Sequence, residues 1–264
     1  MIHKTAIIHP TAKIPDSAEI GAYAIIGENT ILGAGVSVGP HALVECSEIG
    51  DNCRIHGHTA VGTAPQDLKY KNEPTKLIMG PDCTVREFAM LNRGTTASGK
   101  TVIGSGCLFM AYSHVAHDCI LGKNIIMANA ATLGGHVEVG DRAVFGGLVA
   151  VHQFNRIGRM AMIGGGAMVS QDILPFTQAQ GDRATLKGLN LVGMKRASMA
   201  KETIEEVKSA YRTLFLSGLL MEEALEQLEA AGPGAEVREM IQFIHDSERG
   251  ICRPSHKELN EEAV

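Results

Sequence analysis

Hydrophobic residues return along this chain at every sixth position. Ile8, Ile14, Ile20, Ile26, Leu32, Val38 and Val44 form a first run, and Gly21, Gly27, Gly33 and Gly39 directly follow four of them. The phase slips by one after Val44, then resumes at Ile49, Ile55 and Val61, and again at Met79, Val85 and Leu91. From Ile103 it runs unbroken through Phe109, Val115, Leu121, Met127, Leu133, Val139, Phe145, Val151, Ile157, Ile163 and Val169. A period of six is neither the 3.6 of a helix nor the 2 of a single strand. It predicts a mainly β solenoid of short flat strands and tight turns, with every sixth side chain inward and three hexads per triangular coil. With strands ~4.8 Å apart, the hexads build roughly eight coils, a prism of about 40 Å. The neighbouring glycines are expected to supply the turn geometry. A β-sandwich is the alternative, but sandwich strands vary in length and would lose the phase.

Two polar stretches interrupt the period, Thr63–Leu77 and Asn92–Val102. The gaps they leave are multiples of six, so they are expected to be loops ejected from a continuing wall, where function often resides. After about residue 185 the spacing turns helical. Ile204, Val207, Tyr211, Leu214 and Phe215 share one face, and Leu220, Ala224, Leu225 and Leu228 a second. Pro233 opens a third helix carrying Val237, Met240, Ile241 and Ile244. The expected organisation is a β-helix over 1–185, with loops 63–77 and 92–102, followed by a small helical domain over 186–264 with a polar, frayed tail from about Arg253.

Composition sharpens this picture. Glycine is 30 of 264 residues, about 11% against a typical ~7%, while aromatics are 4% with no Trp. Such a chain suits an interior of thin repeated layers. The six cysteines form no CxxC pair and read as reduced, buried small hydrophobes. A net charge of −5 argues against a dedicated nucleic-acid binder. No apolar run is long enough to span a bilayer, and the N-terminus leads into no signal-peptide core, so a cytoplasmic protein without stable membrane insertion is expected.

Faces of a triangular coil recur every third hexad, so Val115, Leu133, Val151 and Val169 share a wall. His117, His136 and His152 follow the first three by two, three and one residues, and are expected on or near that wall, pointing outward. His114 is expected at the adjoining corner. These histidines could be satisfied surface residues, zinc ligands as in β-helical carbonic anhydrases, or a general base with a near-neutral pKa. Their different offsets weaken the metal reading, and no metal is assigned. A His117–Asp118 pair requires either a turn or a partner subunit, since adjacent strand residues point oppositely. A flat wall makes no pocket, so a cleft is expected where walls of several subunits meet, as in a cyclic trimer.

Several motifs carry a resemblance: Pro65-Gln66-Asp67-Leu68-Lys69-Tyr70, Asn72-Glu73-Pro74-Thr75, Asn92-Arg93-Gly94-Thr95, His114-Val115-Ala116-His117-Asp118-Cys119, Leu133-Gly134-Gly135-His136 and Val151-His152-Gln153-Phe154. Over nearly its whole length the chain resembles the hexapeptide-repeat acyltransferases, and within them the UDP-N-acetylglucosamine acyltransferases of lipid A biosynthesis. The resemblance implies a left-handed parallel β-helix, a homotrimer with active sites between subunits, and no cofactor. It also implies transfer of an (R)-3-hydroxyacyl chain from acyl carrier protein to the 3-hydroxyl of UDP-N-acetylglucosamine. His117 matches the catalytic base, Asp118 its acidic partner, and the Gly135 N–H the oxyanion donor. Gln66, Asp67 and Lys69 match a substrate-holding loop, and His114, His136, His152 and Gln153 match substrate contacts. Asn190 and Arg196 match residues near the uridine diphosphate. Val192 and Ala197 depart from the family there, standing where a Glu and a second Arg are often found. Gly165 matches the acyl-chain ruler, and an open groove beside it implies a long chain, about fourteen carbons. Lys187, Lys195, Arg196, Lys201, Lys208 and Arg212 suit docking of an acidic carrier protein. A zinc carbonic anhydrase, a non-catalytic solenoid and a sister enzyme that N-acylates an acylated glucosamine remain alternatives.

Overall fold

The computed structural model describes residues 1–255; the last stretch of the expected polar tail, 256–264, lies outside them. The chain winds into a left-handed parallel β-helix whose strands stack into three faces. Face I holds nine strands, from Ile7–Ile8 through Ala60–Thr63, Met90–Asn92, His114–Val115, Thr132–Leu133 and Ala150–Val151 to Met168–Val169. Face II holds seven, from Ile31–Leu32 through Lys76–Met79 and Lys100–Ile103 to Arg156–Ile157. Face III holds ten, from Glu19–Ile20 to the antiparallel pair Thr177–Gln180 and Thr185–Leu189. The usual right-handed bias of parallel crossovers follows from strand twist. Most strands here are two residues long and twist too little to impose it.

In nearly every two-residue strand the first residue is exposed or half-buried and the second, the sixth-position residue of the repeat, is buried: Val115, Leu133 and Val151 all are. A second inward column lies two residues earlier, where space is smaller: Ala89, Cys107, Cys119, Ala131, Ala143, Ala161 and Ala167. Cys53, Cys83, Cys107 and Cys119 are interior spacers of this kind, and all six cysteines are buried and in no disulfide. The repeat glycines act differently from expectation. Gly21 and Gly39 do not have positive φ; a Cβ on either would lie 2.8 and 2.6 Å from backbone nitrogen of the next coil. They permit close coil stacking, while the left-handed corner conformation falls two residues later, on Tyr23, Asn29 and His41.

The phase slip after Val44 is a shortened corner at Glu45–Cys46, where Cys46 has φ 45°. The loops leave by the same edge, between faces I and II. The first runs over 64–75 and the second over 93–99, shorter than the sequence reading, because the flanking strands lengthen to Ala60–Thr63, Lys76–Met79 and Lys100–Ile103. The wall does not continue past each loop; the chain turns the corner onto face II.

Among the described residues four helices follow: α1 (Leu191–Arg196), α2 (Lys201–Phe215), α3 (Met221–Ala230) and α4 (Ala235–His245). Tyr211 of α2 is fully buried. Helix α4 docks on face II, where Arg159 pairs with Glu239 at 2.8 Å and the Arg156 guanidinium lies 4.6 Å from the Phe243 ring. The strand pair on face III and the short α1 have no counterpart in the sequence reading; α1 is too short to display a helical period. Among the described residues no helix is long and apolar enough to cross a membrane.

Candidate active site

The corner between faces I and II gathers His117, Asp118 and His136. His117 and Asp118 form a turn just after the His114–Val115 strand, and Asp118 takes φ 59°. That turn, rather than a second subunit, lets two adjacent side chains meet: His117 Nδ1 lies 2.8 Å from Asp118 Oδ2. One coil on, the same corner is Gly135–His136, and the next is Gln153–Phe154. The His136 ring meets His117 edge-on at 5.2 Å and stacks on Phe154 at 4.6 Å. The His117 ring lies over Gly135 so closely that a Cβ there would be 2.6 Å from Cε1 and 2.7 Å from Nε2. The N–H of Gly135 donates to no described residue, as is also the case for His117 and Gln153 at the same turn position.

Asp118 has a fully buried carboxylate. Oδ1 accepts from the Thr95 N–H at 3.0 Å, the Ser98 N–H at 3.3 Å and the Ser98 hydroxyl. Oδ2 accepts from the Thr95 hydroxyl at 2.7 Å as well as from His117. Burial opposes its charge, yet hydrogen bonds from Ser98, Thr95 and His117 outweigh that and hold the pKa at about 2. An ionised Asp118 can only accept, so His117 carries its proton on Nδ1 and leaves the Nε2 lone pair free. Burial also pushes the adjacent Cys119 thiol up to about 12, which leaves it unfit as a nucleophile.

The donor atoms of His117, Asp118 and His136 lie within 4.8 Å of one another, a grouping that could hold a metal ion. The donor set argues for a hydrogen-bonded His117–Asp118 pair instead. Both Asp118 oxygens are already saturated by hydrogen bonds, and His136 Nε2 stands 3.7 Å from Oδ2. A tetrahedral zinc needs each ligand at about 2.0–2.2 Å with its lone pair directed at the ion.

His114 departs from the sequence reading. It sits on face I itself, half-buried in its strand, not at a corner. Burial lowers its pKa, reinforced by His117 and opposed by a hydrogen bond that the ring donates to the Met90 backbone. Conversely, His117 and His136 occupy corner turns, and His152 directly precedes one. His152 Nδ1 contacts the Gln153 carbonyl at 3.1 Å.

The first loop folds back over face I. Gln66 Nε2 reaches Met90 Sδ at 3.2 Å, and Met90 pairs with His114, so Gln66 lies beside the histidine wall. Asp67 Oδ1 accepts the Lys69 N–H at 2.9 Å, an Asx turn that presents the exposed Lys69. The loop roots are sewn together by Arg93, which is buried. It donates to the Tyr70 hydroxyl, the Glu45 carboxylate and the Gly62 carbonyl, each at 2.9 Å.

Three residues singled out from the sequence lie elsewhere. Gly165 is an exposed turn residue between faces III and I, where a Cβ would meet the Gly147 carbonyl at 3.3 Å and its backbone nitrogen at 3.8 Å. Asn190 and Arg196 belong to a groove of about 420 Å³ between face III and α1. The Asn190 side chain is engaged there as a cap: Oδ1 accepts from the Gly193 N–H at 2.9 Å and Nδ2 donates to the Met160 carbonyl at 2.8 Å. Arg196 is exposed at the groove's edge. A single protomer thus gathers His114, His117, Asp118, Gly135, His136 and Gln66 around face I, and holds Asn190 and Arg196 on face III.

Sequence reading overlooked Thr95, Ser98 and Arg93 as site residues. A signal existed: Leu91 and Val115 stack on face I, so a loop leaving after Leu91 starts beside the corner that follows Val115.

A parallel β-helix with a histidine–carboxylate corner is the architecture of hexapeptide-repeat transferases, and the hexapeptide model matches residues 100–135. The model for domain 2 of UDP-N-acetylglucosamine O-acyltransferase matches residues 172–252. The acyl-[acyl-carrier-protein]--UDP-N-acetylglucosamine O-acyltransferase of Campylobacter concisus is 46% identical over 207 residues, 78% of this chain and 79% of the relative. The crystal structure of Francisella novicida UDP-N-acetylglucosamine acyltransferase superposes with a TM-score of 0.94 at 34% identity, covering 97% of this chain and 95% of that one. The Campylobacter jejuni enzyme gives 0.92 at 40% identity, with 97% and 100% covered. This chain belongs to the UDP-N-acetylglucosamine O-acyltransferase family.

Proposed function

We propose that this protein transfers an (R)-3-hydroxyacyl chain from acyl carrier protein to the 3-hydroxyl of UDP-N-acetylglucosamine, as the first step of lipid A biosynthesis in the cytoplasm. The observation that carries the reading is the His117–Asp118 pair at 2.8 Å, beside Gly135, in a chain of this family. His117 Nε2 removes the sugar hydroxyl proton as that oxygen attacks the thioester carbonyl. The carbonyl oxygen gains charge, and the Gly135 N–H offers it a hydrogen bond, a contribution of ~3 kcal/mol for one such donor. The intermediate collapses by breaking the C–S bond, and His117 returns its proton to the departing sulfur. Asp118 keeps Nδ1 protonated throughout and stabilises the transient imidazolium. No enzyme nucleophile is required.

The division of residues between two faces supports a homotrimer. Faces I and III meet at a corner lined by an exposed ladder, Tyr23, His41, His58, Phe88 and Tyr112, whose rings stack at 5.0–5.2 Å. Exposed aromatic stripes of this kind favour association. With that corner toward a three-fold axis, face I of one protomer opposes face III of the next, and the histidine wall meets the α1 groove in one cleft. Gln66, Asp67, Lys69, His152 and Gln153 then line the sugar and pantetheine end, Arg196 offers its guanidinium to the diphosphate, and Gly165 leaves room for the acyl chain. The basic residues of α2 and its approach receive the acidic carrier protein.

The test is a mass-spectrometric assay of the protein with UDP-N-acetylglucosamine, its 3-amino counterpart and a ladder of hydroxyacyl carrier proteins. Wild type forms the 3-O-acyl product, and His117→Ala, folded to the same extent, loses ~10²–10⁴-fold or more. Undiminished turnover by His117→Ala contradicts the mechanism.

A further inference from the structure

We propose that Thr95 and Ser98 are positioning residues for the transfer step, acting through Asp118 on the orientation and proton state of His117, with Arg93 as the strut that holds their loop in place. The proposal rests on the acyl-transfer reading above and adds three residues to it.

Asp118 sits at a corner where its own backbone is over-determined. Its φ is 59°, and its N–H donates to Thr101 Oγ1 at 2.9 Å. A carboxylate one bond from that turn can still rotate, and rotation would carry the Oδ2–His117 contact away. The second loop removes the freedom. Thr95 binds one oxygen through its hydroxyl and the other through its N–H, and Ser98 binds Oδ1 through both its groups. Every other acceptor direction being filled, Oδ2 has one orientation left for His117 Nδ1.

The loop that supplies these donors is pinned to Lys76 by backbone hydrogen bonds at Gly94 and Gly99, and Arg93 braces it on the other side. Arg93 ties it to Tyr70 of the first loop and to Glu45 and Gly62 of the coils beneath, while Asn92 Nδ2 donates to the Thr63 and Ala64 carbonyls. Tyr70 in turn donates to the Glu73 carbonyl. The loop carrying Gln66, Asp67 and Lys69 and the loop carrying the carboxylate cradle are therefore one rigid piece. An ion pair this enclosed is not needed for folding a coil that is already continuous above and below it. Its geometry is what a reaction sensitive to ~1 Å of misplacement requires.

The substitutions are Ser98→Ala, Thr95→Val, their double, and the conservative pair Ser98→Thr and Thr95→Ser, with Arg93→Lys alongside. Ser98→Ala and Thr95→Val are each expected to lower kcat about tenfold, and the double about a hundredfold, with KM for either substrate within twofold. A purely structural role would not move the pH profile. Fewer donors leave more charge on the oxygen facing His117, so the acid limb of kcat/KM moves to higher pH. The other groups facing His117, namely His114 and His136, are untouched by these changes. Thr95→Ser restores wild-type kcat and limb, and Arg93→Lys, which loses the fork, lowers kcat with the limb also displaced.

Melting temperature separates folding from positioning. The proposal is overturned if Ser98→Ala and Thr95→Val keep kcat within twofold of wild type. It is equally overturned if their losses come with an unmoved acid limb. His117→Ala in the same series distinguishes the two failures: if it retains turnover, the acyl-transfer reading itself is wrong, whereas an inactive His117→Ala beside fully active loop variants sinks only the positioning role.

Discussion

Gly135→Ala isolates the placement of the His117 ring from every other property of the site. The substitution keeps the backbone N–H, and Gly135 does not have positive φ, so alanine meets no backbone penalty there. The added methyl would lie 2.6 Å from His117 Cε1 and 2.7 Å from Nε2. Carbon atoms settle at about 3.5–4.0 Å, so the ring must move by about 1 Å. It cannot move freely, because Nδ1 is held to Asp118 at 2.8 Å and the His136 ring stands edge-on to it at 5.2 Å between centroids. Displacement of a catalytic group by ~1 Å costs ~10²-fold, equivalent to about 2.7 kcal/mol in the barrier. Steady-state kinetics should therefore show kcat/KM down ~10²-fold, mostly in kcat. Thermal melting completes the assay: Gly135→Ala should lower Tm, and the double variant with His117→Ala should recover it, since the collision disappears with the ring. Wild-type kinetics in Gly135→Ala, or a Tm loss that persists in the double variant, would refute the reasoning.

Three further outcomes follow from the same geometry. Hydrogen bonds from Ser98, Thr95 and His117 outweigh burial and hold the Asp118 carboxyl at about 2, below its ordinary 3.8, so its ionised form favours the folded state. That stabilisation, about 2 kcal/mol, is fully present above pH ~4–5 and is lost as pH falls through 2, so urea unfolding of wild type should lose that much more than Asp118→Asn between pH 5 and 2. Gly62→Ala places a Cβ 1.9 Å from the Glu45 carbonyl at φ 74°, and should cost at least ~1–3 kcal/mol in urea unfolding and depress kcat/KM by shifting the carbonyl that Arg93 grips. Exhaustive chelation should leave acyl transfer unchanged if, as proposed, His117 acts as the base with Asp118 as its acceptor; loss of activity restored by zinc would return the metal reading.

The solenoid was legible because one column of inward residues repeats in register: Val115, Leu133 and Val151 were placed on one wall from spacing alone, and they stack in successive strands of face I. The second inward column was not read, since small residues such as Ala131 and Cys119 carry little hydrophobic signal although they are equally buried. The role of the repeat glycines was misassigned because spacing shows where a glycine stands but not whether φ or crowding demands it. The histidines came out near their true places, with His114 moved from corner to wall, because strand and turn alternate within three residues and spacing cannot divide them. Asp118 as a partner of His117 needed the turn at φ 59°, which no pattern of residue types displays. Thr95 and Ser98 were hidden in a loop whose return path depends on one buried arginine. Asn190 was read through resemblance as a nucleotide contact, and in the fold its amide caps α1.

The central claim is that each active site joins the histidine corner of one protomer to the α1 groove of the next, and subunit complementation tests it most directly. Two variants are prepared, His117→Ala, which lacks the base, and Arg196→Glu, which sets a carboxylate against the diphosphate. Each is assayed alone and then after the two are co-assembled in equal amounts. If every site draws His117 and Arg196 from different chains of a cyclic trimer, about a quarter of the sites in a random mixture regain both intact residues. The account predicts recovery to about 25% of wild-type turnover from two nearly inactive parents. A mixture no more active than its parents would contradict it and return the whole site to a single chain.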